Sequence, residues 1–466
     1  MTSLNATAME TASLEAFDHH WYGICLEIIF LVYCFAGLAT VCDDFLVPSL
    51  ESICVRWNIR EDVAGASFMA FGSAAPEIIV NAISTLKASG QSPQSINLGL
   101  GAILGSSVIA FSLIPGCCVL LCEPGTVLEL KRRPLIRDIA TYVVALSMLV
   151  HSIKDGNIDL NESALLLVIY VVYLLVVFFA PTVRSKYRVH VLRESLLPRQ
   201  SFVERARETE GTPDVYLLED SQPMYDGTGA AVIDSGALEE SSSSIQIAGP
   251  DFSPSDLIPQ ETPNSFGAKV FGLASKTLEP LRWIVRKTCP ENEDLHMVAF
   301  FVSFLWVSLF SFCISTVVER WGVLSQVPLA FFGFFLVSLG AEVPDTVQSV
   351  TVARRGYGSM AISNAMGSQI CNICIGLGLP WLLSLLGGST IAFSDAKFLF
   401  LAIYLQFGSI TIFTVLLFAS VVWERAEKAT LDRRKGMILV LVYITVVSVF
   451  ALSTIHSQNS PLPGSL

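Results

Sequence analysis

Long apolar runs alternate with short polar segments along most of the chain, and each run has about the 20 residues that a helix needs to cross a bilayer. The predicted spans are 21–41, 63–86, 97–121, 137–153, 164–181, 297–318, 327–352, 359–386, 395–423 and 436–453. The pattern predicts an all-α multi-pass membrane protein with about ten transmembrane helices, five on each side of a long polar segment.

The polar segment carries Glu239, Glu240 and the run Ser241 to Ser244, together with many Pro, Asp and Gly residues. Such a stretch cannot bury enough apolar surface to offset its ordering entropy, so most of it is predicted to be disordered. Some helical character is expected beside the spans, at Arg184–Arg188 and Leu281–Lys287. The predicted organisation is an extracytoplasmic tail (1–20), a first five-span repeat (21–181), a cytoplasmic acidic loop (182–296), a second five-span repeat (297–453) and a C-terminal tail (454–466).

Basic residues cluster in loops that all fall on one side when the spans are counted. These loops contain Lys131–Arg133, Arg184–Arg188, Arg354–Arg355 and Arg425–Lys435. The positive-inside rule makes that side cytoplasmic and places both termini outside. The sequon at Asn161 also falls outside, where glycosylation would require it.

Composition supports a membrane protein and excludes other classes. The chain has 466 residues, of which 52% are hydrophobic and 15% charged, with a mean hydropathy of +0.59. A net charge of −12 removes the electrostatic case for nucleic-acid binding. No metalloprotease helix, phosphate-binding P-loop or nucleophile elbow is present, so neither an enzyme nor a bound cofactor is expected. Cys371 and Cys374 have redox or zinc spacing but lack a second Cys/His pair nearby, so they are interpreted as buried apolar residues.

One short motif occurs in both halves. Gly72–Glu77 and Gly340–Asp345 each consist of a glycine, three further residues, a proline and an acid. A second matched piece follows in the next span, Gly105–Ser107 in the first half and Gly367–Gln369 in the second. Because five spans separate the copies, they enter the membrane from opposite sides, as in an inverted-topology transporter.

The motif places two unfavourable features side by side at membrane depth. Proline has no N–H for the carbonyl four residues earlier, so Pro76 and Pro344 are expected to free the carbonyls of Gly72 and Gly340. The adjacent carboxylate costs about 2.5–3.5 kcal/mol at a helix centre. Two such features placed symmetrically predict a common polar site near the midplane.

The predicted site consists of oxygen atoms and carries negative charge, which suits a hard cation such as Ca²⁺. Glu77 and Asp345 would supply about four of its six to eight oxygens. Further candidate ligands are Ser73, Asn81, Ser106, Glu342, Ser368, Asn372 and the carbonyls of Gly72 and Gly340. Three alternatives stay open: each Pro-acid pair is only a structural kink, Glu342 extends to water rather than into the cavity, and Ser106 and Ser368 belong to small-residue helix packing.

Longer stretches around both motifs resemble the cation/calcium exchanger superfamily, and most closely the potassium-dependent sodium/calcium exchangers. The resemblance covers about half of the chain. It is carried in the first half by Asp43–Glu51 and Glu61–Glu77, and in the second by Val352–Gly356, Met360–Ser368 and Gly376–Trp381. It implies that Glu77 and Asp345 are the central Ca²⁺ ligands, that the first and sixth spans rock or slide across the site, and that Na⁺ is the driving ion.

Several positions depart from the family pattern. Ala74, Ala341 and Ala110 replace residues that carry hydroxyl or amide oxygens in the family, and Glu342 stands in a motif that usually has a hydroxyl. Asn372 replaces the Asp that the family associates with K⁺, so K⁺ dependence is expected to be weakened or lost. Glu342 would restore that negative charge or exchange a proton for the metal.

The predicted function is therefore secondary-active exchange of Ca²⁺ for Na⁺ by alternating access. The first alternative is a Ca²⁺ or Mg²⁺/proton exchanger on the same fold, and the second is a channel or a non-transporting homologue. The expected partners are metal cations, the lipid bilayer and regulators of the cytoplasmic loop, in a plasma or intracellular organelle membrane.

Overall fold

A computed structural model describes residues 21–57, 70–90, 95–123, 125–154, 156–179, 279–289, 296–354, 356–391, 393, 396–423 and 429–459. Its helices, in chain order, are α1 (Trp21–Val41, continued by Cys42–Leu46 and Val47–Arg56), α2 (Ala70–Gly90), α3 (Ile96–Val108, Ile109–Leu113 and Ile114–Leu120), α4 (Arg132–Lys154), α5 (Leu160–Phe179), α6 (279–288), α7 (His296–Ser325), α8 (Leu329–Phe332, Gly333–Val337 and Ser338–Arg354), α9 (Gly358–Cys371, Asn372–Leu377 and Gly378–Leu386), α10 (Ala396–Trp423) and α11 (Arg433–Asn459). Two short strands, β1 (Leu128–Leu130) and β2 (Ala429–Leu431), complete the described elements.

The ten predicted spans correspond to α1–α5 and α7–α11. Nine helices of the described part are long and apolar enough to cross a membrane, and α2 falls below that hydropathy. Two charged residues lower its hydropathy: Glu77, which belongs to the predicted site, and Lys87, which lies in the last turn of the helix. Residues 63–69 of the predicted second span, the N-terminal tail and the acidic loop up to residue 278 lie outside the described residues.

Three predicted span ends were too early by more than five residues. The sixth span, predicted to end at residue 318, runs as a helix to Ser325. The first helix does not end at residue 41 but continues to Arg56, and the last one runs to Asn459, into the predicted tail. In α1 the continuation passes through a wider π-helical turn at Cys42–Leu46. A hydropathy pattern ends at the charged pair Asp43 and Asp44, whereas the backbone remains helical.

Three π-helical turns lie just before a proline. They occur in α1 before Pro48, in α3 before Pro115 and in α9 before Pro380. Proline cannot donate to the preceding turn, and a widened turn lets the helix continue through the missing hydrogen bond. The turns in α3 and α9 occupy matching places in the two halves, directly after the glycine-serine pieces.

The connecting loops show the inverted relation of the halves. The loop before α4 pairs with the loop before α11 through antiparallel β1 and β2, in which Leu128 lies opposite Leu431. The loop after α4 also meets the loop before α10: the Ile158 N–H donates to the Ile391 carbonyl and the Phe393 N–H to the Gly156 carbonyl, both at 3.1 Å. The α3–α4 and α4–α5 loops of the first repeat thus pair with the α10–α11 and α9–α10 loops of the second, and exchanging the repeats interchanges the two pairings. The chain forms an all-α membrane bundle of two inverted five-helix repeats.

Helices α3 and α9 lie in the centre of the bundle. Every residue of Ile96–Val108 is buried, whereas α1, α7 and α11 expose many large apolar side chains suited to lipid. At the crossing of α3 and α8, a Cβ on Gly105 would overlap the Phe334 carbonyl, and one on Gly333 would overlap the Leu98 carbonyl. The glycines therefore let the two repeats approach at backbone distance.

Helix α6 confirms the helical character predicted at Leu281–Lys287. Leu281 and Val285 are buried against α1 and α7, and Arg282 forms an ion pair of 3.2 Å with Asp44 of α1. Trp306 of α7 donates from Nε1 to Thr288 at 2.9 Å. The segment that precedes the second repeat is thus attached to the first helix of each repeat.

We expect Gly105→Ala to lower the free energy of unfolding by about 1–3 kcal/mol, since the added methyl has no space against the Phe334 backbone. The measurement is the thermal unfolding midpoint of the purified protein in detergent. Gly408→Ala in α10 is the matched control, because nothing lies within 4 Å of its Cβ position. Equal midpoints for the two variants would contradict this account of the crossing.

Candidate functional site

The two acids of the repeated motif lie inside the bundle, each in the middle of a helix and directly after a proline. Glu77 of α2 is 2% exposed and Asp345 of α8 is 8% exposed. Their charges are near enough to interact with each other. The inverted repeats therefore bring together the two carboxylates that the sequence singled out.

A third carboxylate joins them. Glu342, one helical turn before Asp345, is 2% exposed, and its charge interacts with those of Glu77 and Asp345. The sequence left open whether this side chain extends to water or faces the cavity, and the structure buries it in the bundle. Within the described ranges, no three or more His, Cys, Asp or Glu side chains are arranged to hold a metal ion by themselves. A cation here would therefore need neutral oxygens as well.

Oxygens without hydrogen-bond partners are present on the acids and on amide side chains of the predicted site. Among the buried polar atoms of the described residues that lack a hydrogen-bond partner, four are oxygens of predicted site residues: Glu77 Oε2, Asn81 Oδ1, Glu342 Oε2 and Asn372 Oδ1. A buried polar atom left unpaired costs about 1–3 kcal/mol, so such atoms are rare unless a ligand or water satisfies them. All four belong to the predicted site residues, and all four are acceptors suited to a hard cation.

A small cavity opens beside this cluster on the side of α1. Its volume is about 10 Å³, close to the lower limit for one water molecule. Ser73, Pro76, Pro344, Asp345 and Gln348 line it from the two motif helices. The Ser73 hydroxyl donates to the Ala70 carbonyl at 3.3 Å, which leaves its lone pairs for another partner.

Asn81 connects the repeats. Its Nδ2 donates to the carbonyl of Gly376 in the π-helical turn of α9. Gly99 of α3 packs directly against the Asn81 side chain, and a Cβ at that position would overlap it. The amide is therefore held by both central helices, with Oδ1 unpaired.

The two serines after the motif glycines differ in their contacts. Ser368 donates to the Ala365 carbonyl of its own helix at 3.0 Å. Ser106 lies 3.1 Å from both the Ile103 carbonyl and Gln369 Oε1. The sequence left open that Ser106 belongs to small-residue helix packing. The close packing is made by the neighbouring Gly105, and the Ser106 hydroxyl takes part in a polar network.

Gly72 and Gly340 have a packing role that the sequence analysis did not foresee. A Cβ on Gly72 would lie 2.9 Å from Leu50, and one on Gly340 would overlap the ring of Phe35. Both contacts are made by α1, so the two motif glycines let this helix approach the site. Their carbonyls stay predicted ligands.

Sequence reasoning missed Gln369, Ser107 and Gln348. Gln369 is completely buried, accepts from Ser107 at 2.9 Å and donates to Glu342 Oε1 at 2.8 Å. The available signal was an amide side chain in an apolar span directly after Ser368. Cys371 and Cys374 are buried free thiols, in agreement with their interpretation as apolar residues.

A fold of inverted repeats with buried acids at their crossing is that of a membrane cation transporter. A family model described as sodium/calcium exchanger protein matches residues 27–179 and 295–452, about two thirds of the chain. The chain belongs to this family. It is therefore a multi-pass membrane transporter of the cation/calcium exchanger class and not an enzyme.

Curated relatives match over most of their length. Human sodium/potassium/calcium exchanger 5 is 28% identical over 441 residues, covering 92% of this chain and 83% of the relative. Human sodium/potassium/calcium exchanger 4 is 26% identical, covering 90% and 80%. Among solved structures, the crystal structure of the H⁺/Ca²⁺ exchanger CAX matches with a TM-score of 0.52 at 11% identity, covering 96% of this chain and 93% of that one. This last likeness supports the fold alone.

We expect Glu77→Gln or Asp345→Asn to abolish Ca²⁺ transport while the protein still reaches the membrane, because either change removes one of the two central acids of the cation site. The measurement is ⁴⁵Ca²⁺ uptake into vesicles, normalised to the protein in the membrane. Glu162→Gln, a half-buried acid at the start of α5 whose carboxylate accepts from the Asp159 N–H, is the matched control and should transport normally. Wild-type flux in either site variant would exclude that residue from the site.

Proposed function

We propose that this chain is a secondary-active antiporter that exchanges Ca²⁺ for Na⁺. The observation that carries the proposal is the set of four unpaired buried oxygens around Glu77, Asp345 and Glu342. Their number, charge and chemical type fit a dehydrated divalent cation better than a structural hydrogen-bond cluster. Family membership and the names of the relatives support Ca²⁺ as the transported ion.

In this proposal Glu77 and Asp345 are the central ligands, and Glu342 Oε2, Asn81 Oδ1, Asn372 Oδ1, Ser73, Ser106, Ser368 and the Gly72 and Gly340 carbonyls are the remaining candidates. Several of these bind in turn as the ion enters and leaves. Ca²⁺ accepts such a flexible and irregular set of six to eight oxygens, whereas Mg²⁺ requires a near-ideal octahedron.

Alternating access is assigned to α1 and α7 moving against the motif helices. Glu27 of α1 binds Arg320 of α7 at 3.1 Å and accepts from Trp321 Nε1 at 2.6 Å, so the two helices are linked at their outer ends. On the other side α1 rests on the motif glycines through Leu50 and Phe35. Because glycine has no side chain, α1 can slide over these positions of α2 and α8 with few steric obstacles.

Proton exchange is the second candidate on the same fold. It is favoured by Glu342, a third buried acid whose charge adds to those of Glu77 and Asp345. A site with three carboxylates and one divalent ion carries excess negative charge, which a proton would balance. The proton-coupled exchange would carry Ca²⁺ or Mg²⁺.

The loss of K⁺ dependence expected from Asn372 has no support from the relatives described above, since both are named as potassium exchangers. The expectation rests on this one residue. Regulatory partners at the cytoplasmic loop likewise stay a prediction from the sequence.

We expect an outward Na⁺ gradient to drive ⁴⁵Ca²⁺ uptake into proteoliposomes, because uptake of Ca²⁺ must be coupled to release of the driving ion. The flux should saturate with Ca²⁺ and vanish when Na⁺ is replaced by choline. Uptake driven by a pH gradient in the absence of Na⁺ would contradict Na⁺ coupling and support the proton exchanger. Non-saturating flux without counter-ion dependence would indicate a channel, and absence of flux under every gradient a non-transporting homologue.

We expect Asn372→Asp to create or strengthen K⁺ dependence, since a further carboxylate in the site provides the charge that a second cation requires. The measurement compares Na⁺-driven Ca²⁺ flux with and without K⁺ in wild type and variant. An unchanged K⁺ response would show that this position does not set K⁺ coupling in the chain.

A further inference from the structure

The side chain of Gln369, the last residue of the repeated piece Gly367–Gln369, connects three helices around the proposed site. It lies in α9, is fully buried, and forms hydrogen bonds with α3 and α8. Its Nε2 donates to Glu342 Oε1 at 2.8 Å. Its Oε1 lies 2.9 Å from the Ser107 hydroxyl and 3.1 Å from the Ser106 hydroxyl.

The surroundings fix the orientation of the amide. Gln369 Oε1 also faces Asn372 Nδ2 at 3.4 Å, while each of the two serine hydroxyls shares its single hydrogen between Oε1 and the Ile103 carbonyl. The opposite orientation would place the Gln369 NH₂ group against the NH₂ group of Asn372 and its oxygen against the Glu342 carboxylate. Both contacts would be repulsive with an ionised Glu342. The donor of Gln369 is therefore held toward the carboxylate.

The hydrogen bond occupies only one oxygen of Glu342. Oε1 accepts from Gln369, whereas Oε2 has no hydrogen-bond partner and belongs to the set of unpaired oxygens. A carboxylate fixed through one oxygen presents the other in a constant direction. Residues that orient a ligand in this way affect metal affinity about 10–100-fold although they do not touch the metal.

We infer that Gln369 is a positioning residue that holds Glu342 as a one-oxygen ligand of the transported cation, with Ser106 and Ser107 anchoring the amide. The inference rests on the proposed function, because it requires that the site binds Ca²⁺. It assigns the Ser106 hydroxyl to the support of Gln369 in this state. Gln369 sets the Ca²⁺ affinity of the site through Glu342.

Gln369→Met tests the role, because methionine has a similar volume and length but offers no N–H donor. The measurement is the Ca²⁺ dissociation constant of the full-length purified protein by isothermal titration calorimetry with CaCl₂. We expect a 10–100-fold weaker affinity. Thr454→Val is the control for the loss of a buried polar group, since Thr454 of α11 is buried and donates within its own helix to the Phe450 carbonyl at 2.9 Å; its Ca²⁺ affinity should equal that of the wild type.

A double-mutant cycle separates positioning from packing. In the Glu342→Gln background, Gln369→Met should change Ca²⁺ affinity by less than threefold, since the carboxylate that Gln369 positions is absent. A purely structural role would give the same loss in both backgrounds. Additive losses, or wild-type affinity of Gln369→Met, would overturn the inference.

Ser107→Ala provides a second, milder variant that keeps every proposed ligand. It removes one of the two hydroxyls that anchor Gln369 Oε1, and we expect a smaller loss of Ca²⁺ affinity with unchanged maximal flux. Wild-type affinity in this variant as well as in Gln369→Met would overturn the positioning role even if Gln369→Met folds poorly. If the wild-type protein neither binds nor exchanges Ca²⁺, the proposed function itself fails, whereas wild-type exchange with unaffected variants contradicts only the role of Gln369.

Discussion

Acidic side chains that are buried in a membrane bundle need a counter-charge, and this requirement organises the rest of the molecule. Glu77, Glu342 and Asp345 are all buried, and their charges are near enough to interact with one another. A carboxylate at this depth is unfavourable by several kcal/mol unless a cation or proton compensates it. Stable folding and cation binding are thereby linked at the same few atoms.

The surrounding helices meet this requirement with backbone flexibility and close approach. Widened π-helical turns before Pro115 and Pro380 let α3 and α9 pass the site without ending. Glycines at the α3–α8 crossing bring the two repeats to backbone contact. Glycine and proline weaken an isolated helix, but in this bundle they allow the two inverted halves to share one site.

The polar network around Gln369 extends this organisation beyond the ion itself. One amide satisfies an acid of α8, two hydroxyls of α3 and an amide of its own helix. Fully connected buried networks fix a single arrangement of their members, whereas partly connected ones leave unpaired atoms. In this chain both polar atoms of the Gln369 side chain have partners, whereas one oxygen each of Glu342, Asn372, Glu77 and Asn81 does not, and we propose that the cation binds to these unpaired oxygens.

The sequence alone determined the membrane class, the number of spans, the inverted repeat and the pairing of Glu77 with Asp345, because hydropathy and a repeated Pro-acid motif are local signals. It could not determine that α1 continues to Arg56, since charged Asp43 and Asp44 end the apolar run while the backbone stays helical. Nor could it choose between exposure and burial of Glu342, or identify Gln369 as its partner. Those outcomes depend on which helix faces pack against each other. Glu342 and Gln369 are 27 positions apart in the sequence, and Asn81 and Gly376 are 295 apart, so each pair meets only through tertiary packing.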